Sequence, residues 1–157
     1  MGWKAVARNI KVFILGSRRV TSGSWPLYRI CALMLTISGV IQLVTGKLPG
    51  SVAGASSSEW TDVTYVWMQM LGGALVLWSL MVGTKDLDVS LNLERIGAIL
   101  IFCSSLTYVV SVVDYNSGVP TSSGVWLVVG VGLYTGFRVW EISRVIRATR
   151  HEQEGRP

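Results

Sequence analysis

Apolar residues in this chain come in four long blocks, not at the helical or strand spacing of a soluble core. The blocks run over 26–45, 63–83, 95–113 and 124–140. A helix needs roughly twenty apolar residues to cross a bilayer's hydrocarbon core, so the first three blocks each predict a transmembrane helix. The fourth is shorter. Its uncharged part, Gly124–Phe137, has 14 residues, which puts Arg138 at the membrane edge and predicts a helix that continues into water. A three-span alternative folds this block back as a re-entrant hairpin, but it would place the arginine-rich end against the charge bias described below.

The connecting stretches are polar. Gly46–Asp62 reads as a loop rich in Gly, Ser and Ala. Thr84–Asn92 reads as the joint of a helical hairpin and begins with the charged turn Lys85–Asp88. Asn116–Pro120 is a tight connection, with Gly and Pro as turn residues. Ahead of the first block, Trp3, Val6, Ile10 and Phe13 recur at helical spacing, while Lys4, Arg8, Lys11 and Arg18 fall on another face. That pattern predicts a basic amphipathic helix lying in the headgroup plane, with an unstructured basic tail as the alternative. Its basic residues interrupt the apolar run, unlike a cleavable signal peptide. The predicted fold is therefore all-α: an integral membrane four-helix bundle over 26–142, an N-terminal amphipathic interfacial helix within 1–25, and a basic tail over 143–157.

Charge sets the orientation. Only 15% of the 157 residues are charged, against about 25% in typical soluble proteins, and the net charge is +5. Lys4, Arg8, Lys11, Arg18 and Arg19 precede the first block, and Arg144, Arg147, Arg150 and Arg156 follow the fourth. The first and third loops share only Lys47. Lys and Arg in short flanks favour the cytoplasm, so both termini are expected inside. The basic ends then face anionic lipid headgroups, worth about 1 kcal/mol per residue near the surface, and no nucleic-acid partner is expected. Ten of the 14 basic residues are Arg, a composition that leans towards a GC-rich coding source.

Helices in lipid associate through small residues and a few polar contacts. Gly132 and Gly136 form a GxxxG motif, and Gly72 and Gly73 lie within the second block; these four are the candidate helix-packing residues, within one bundle or between copies. Gln42 and Gln69 fall where they could hydrogen-bond across neighbouring helices. Arg29, Glu94, Arg95, Arg138 and Glu141 fall at a common inner depth and predict a charge belt. No charge sits at the centre of any block, which argues against a proton relay or transporter. Cys31 and Cys103 lie inside blocks and read as small buried hydrophobes. The one His lies near the C-terminus, and neither a phosphate loop nor a HExxH motif occurs. No catalytic residue, cofactor or metal is expected, and the chain reads as a non-enzyme.

Several local patterns carry a resemblance: Trp25-Pro26-Leu27-Tyr28-Arg29 at the start of the first block, Leu93-Glu94-Arg95-Ile96-Gly97 at the start of the third with Tyr108 further along, and Phe137-Arg138-Val139-Trp140-Glu141-Ile142 at the end of the fourth. In this layout the chain resembles the small four-span membrane proteins encoded by phages of actinobacteria. The resemblance implies a protein of the bacterial cytoplasmic membrane that is holin-like or an accessory at the envelope. The expected function is association of membrane helices, either in that role or as an accessory subunit of a larger membrane complex. The expected partners are the bilayer and either a second copy or that complex.

Overall fold

The computed structural model describes residues 25–55, 59–82 and 87–154, and every regular element among them is an α-helix. In chain order these are α1 (Trp25–Thr45), α2 (Gly50–Ala55), α3 (Glu59–Val82), α4 (Leu87–Asn116) and α5 (Ser123–Glu154). The four long ones are each apolar and long enough to cross a membrane. Each packs chiefly on the next, α1 on α3, α3 on α4 and α4 on α5. One end of the bundle gathers the start of α1, the start of α4 and the charged stretch of α5. It is called the charged end here, and the opposite end the looped end. The basic amphipathic segment expected over 1–25, with Lys4, Arg8, Lys11 and Arg18, lies outside the described residues except for Trp25.

α3 is the centre of the assembly because it carries two adjacent glycines that meet different neighbours. A Cβ on Gly72 would lie 3.0 Å from the Gly97 carbonyl oxygen of α4, and one on Gly73 would lie 2.5 Å from the Ala32 carbonyl oxygen of α1. Bare backbone at both positions lets three helices approach where any side chain would hold them apart. The core beside this crossing is Tyr28, Ala32, Val76 and Ile101. Three buried hydroxyls are satisfied within their own helices: Ser79, Ser104 and Thr135 donate to the carbonyls of Val76, Ile101 and Gly132 at 2.7–2.9 Å. That local bond lets a hydroxyl sit in an apolar bundle without an orphaned donor.

Three boundaries differ from the sequence expectation. Gly46–Asp62 is not loop throughout, because α2 folds within it. Val52 of α2 is fully buried against Tyr65 and Val66, so the small apolar residues of that stretch roof the looped end. α4 begins at Leu87, not Arg95. Its first turns are polar but locally satisfied: Asp88 sits in the first turn, Asn92 Nδ2 donates to the Asp88 carbonyl at 3.0 Å, and Ser90 Oγ donates to the Ser79 carbonyl of α3 at 2.8 Å. α5 is helical to Glu154, so part of the expected tail is a continuous helical extension. At about 1.5 Å per residue α5 is about 48 Å long, well beyond a hydrocarbon core of roughly 30 Å. The tight connection after α4 is present. Ser117 takes a left-handed φ of 52°, and Ser117 and Gly118 N–H groups donate to the Asp114 and Val113 carbonyls at 3.2 Å, a paired helix-ending bond pattern usually built on Gly.

Candidate functional site

The densest polar arrangement among the described residues is at the charged end. α4 supplies Glu94, α5 supplies Arg138 and Glu141, and α1 supplies Tyr28 and Arg29. Arg138 Nε donates to Glu94 Oε1 at 2.8 Å, and Arg138 Nη1 donates to Glu141 Oε2 at 2.6 Å. The Arg138 and Glu94 side chains are each 6% exposed, whereas Glu141 is 42% exposed. The cluster therefore runs from a buried ion pair out to a wet carboxylate one turn further along α5. Arg29 is buried and feels the Glu94 charge from α1. Arg95 is half-buried on α4 and takes no part in these two ion pairs.

The aromatic frame explains the geometry. Tyr28 and Tyr134 stack tilted at 59° with centroids 5.4 Å apart, joining α1 to α5. Tyr134 lies one turn before Arg138, so the same face of α5 carries both the ring contact and the guanidinium. The Tyr28 hydroxyl is buried within reach of the Glu94 and Arg138 charges and has no hydrogen-bond partner among the described residues. Further along α5, the Arg144 guanidinium lies 4.5 Å over the Trp140 ring, and Arg147 Nε donates to the Ser143 carbonyl at 3.2 Å. Both of these basic residues remain exposed at their α5 positions.

Of the residues singled out from sequence, the structure joins Glu94, Arg138 and Glu141 directly and brings Arg29 beside them. The packing glycines all meet another helix. A Cβ on Gly132 would lie 3.1 Å from Ser105 Cβ, and one on Gly136 would lie 3.3 Å from the Phe102 ring, both on α4. Gln42 and Gln69 do not bond each other. Gln42 Nε2 donates to Ser38 Oγ at 2.9 Å, and Gln69 Nε2 reaches the Leu35 carbonyl of α1 at 3.4 Å. Each amide has a nearer partner on α1, and that overrides the expected bridge. Sequence reasoning missed Tyr28 and Tyr134. The signal was present, since each is a polar-tipped aromatic adjacent to, or one turn from, a buried arginine.

Chemically the cluster can hold helices in register and anchor a charge in an apolar setting. It offers no nucleophile with an adjacent base. No group of three or more His, Cys, Asp or Glu side chains among the described residues is placed to hold a metal ion. Compared with known protein families, curated proteins and solved structures, the chain matches none.

Proposed function

We propose that this chain is a non-enzymatic multi-pass protein of a bacterial cytoplasmic membrane that acts by association of its apolar helices with other membrane-embedded helices. The observation that carries the reading is the direction of its polarity. Glu94, Arg138, Gln69, Ser104 and Thr135 are buried within the bundle, while Trp67, Trp78, Leu106, Val110, Leu127 and Leu133 are exposed on the long helices. A surface of that kind is matched to lipid and to other apolar helices, not to water. The described basic residues other than Lys47 lie towards the charged end, and positive flanks favour the cytoplasm. This supports both termini inside, with Arg144 and Arg147 towards anionic headgroups.

Partner capture in the membrane tests the reading. The tagged full-length chain is expressed at low level in bacteria, cross-linked in intact membranes, extracted in mild detergent and resolved by native electrophoresis with mass spectrometry. A species larger than the monomer is expected. Self-association accompanied by loss of membrane potential on induction would assign the holin-like role that the phage resemblance implies. A fixed hetero-complex with the potential intact would assign the accessory-subunit role. A monomer alone, with no cross-linked partner, would overturn association as the mode of action.

A further inference from the structure

Two amides in the looped half of the bundle are only half used. The Nε2 atoms of Gln42 and Gln69 donate as described, but neither Oε1 has a hydrogen-bond partner among the described residues. Gln69 is 4% exposed, so bulk water does not serve its oxygen. Buried polar atoms in folded proteins are nearly always paired, and an orphan marks a place where water, an ion or a ligand belongs.

Both amides line a single cavity of about 310 Å³ between the helices, shared with Ser38, Tyr65, Ser105 and Tyr108. That volume is at the lower end of small-molecule sites, which run about 300–1,000 Å³. The character of the lining selects the ligand. No acidic or basic side chain faces the cavity, and roughly 20 Å along α1 separates Gln42 from Arg29 at about 1.5 Å per residue. A buried charge without a counter-charge is costly, so the occupant is uncharged. The orphaned atoms are acceptors, so it donates hydrogen bonds. Serine and tyrosine hydroxyls both donate and accept, so a ligand made of hydroxyls complements the wall's polar positions better than one made of N–H groups, while Met34, Leu35 and Val128 make the remainder of the wall apolar. Tyr65 and Tyr108 add ring surface for its carbon skeleton.

We propose that this cavity binds a small uncharged polyol, whose hydroxyls donate to Gln42 Oε1 and Gln69 Oε1. The site is separate from the charged cluster and does not depend on how the helices associate with partners. The test uses the full chain in lipid nanodiscs and saturation-transfer NMR with glycerol as the probe. The trimethyl ether of glycerol, which keeps the skeleton and loses every donor, is the comparison. Wild type should transfer saturation to glycerol at least fivefold more strongly than the Gln42→Leu/Gln69→Leu double variant, and the ether should stay at the variant's level. Val128→Phe, which fills the cavity from α5 and leaves both amides in place, should give the same loss and covers the case in which the double variant does not fold. Equal glycerol signals in wild type and Val128→Phe would overturn the proposal, as would an ether signal equal to that of glycerol. A cavity that holds water alone would give the first of these results.

Discussion

Replacing Glu94 and Arg138 singly and together shows what the buried ion pair contributes. Breaking a buried pair by removing one partner leaves an uncompensated charge and costs roughly 3–5 kcal/mol. Here a second opposite charge stands near each survivor, which lowers that cost. After Glu94→Leu, Arg138 retains Glu141 at 2.6 Å, and after Arg138→Leu, Glu94 retains the charge of Arg29. Each single variant is therefore expected to lose about 2–3 kcal/mol. The double variant leaves Glu141, which is 42% exposed and free to turn to water, and Arg29, whose loss of the Glu94 charge is already part of the Glu94→Leu cost, so it should lose no more than about 2 kcal/mol. The sum of the singles then exceeds the double by at least ~2 kcal/mol. Reversible unfolding in mixed micelles with rising SDS fraction, followed by far-UV circular dichroism, measures all three. Additivity within ~0.5 kcal/mol, the agreement expected of independent sites, would show that Arg138 and Glu94 do not hold each other and would remove the energetic basis of the charged end.

Three further outcomes follow from the same geometry. A graded glycine series in the same assay should put Gly73→Ala lowest, losing about 1–3 kcal/mol because its Cβ meets α1 backbone. Gly130→Ala, whose Cβ meets nothing within 4 Å, should gain up to about 1 kcal/mol from helix propensity; equal effects at the two positions would refute the packing of α3 on α1. Cysteines placed at Ser117 and Arg147 should report opposite sides of the membrane in intact cells, with an impermeant maleimide reaching Ser117→Cys and sparing Arg147→Cys; external labelling at position 147 would refute the orientation. A peptide of residues 1–22 should bind anionic vesicles as a helix and release as salt rises, since the screening length is about 8 Å at physiological ionic strength; a peptide disordered on both anionic and neutral vesicles would reduce that segment to a positive-inside signal.

The four long helices were legible because length and hydropathy alone decide them: no competing element of that length suits an uncharged run of such residues. Their ends were not legible where polar residues find local partners. Asp88, Ser90 and Asn92 read as a turn by type, yet the Ser79 carbonyl and the helix's own backbone absorb them, and α4 starts at Leu87. α2 was hidden for the opposite reason. Its composition is that of a loop, and its helix is held by tertiary burial of Val52.

Depth along a span can be counted from sequence, but rotation about the helix axis cannot, and the two sets of polar predictions divide on that line. Arg29, Glu94, Arg138 and Glu141 were grouped because they share a depth, and at that end the faces coincide closely enough for Arg138 to reach Glu94 across 44 positions of chain. Gln42 and Gln69 also lie in the same half of neighbouring helices. Their pairing needed both amides to point at one spot, and instead each nitrogen finds a partner on α1, leaving two oxygens facing a shared space. The glycines of α5 show the same constraint in reverse. Gly132 and Gly136 are one turn apart and meet α4 together, whereas Gly130 lies two positions from Gly132, about 200° around a helix of 3.6 residues per turn, and its Cβ direction is open. A motif that names its own face, such as a pair of glycines four apart, transfers from sequence to structure. A lone polar residue carries depth without direction, and its partner is decided by how the neighbouring helix is turned.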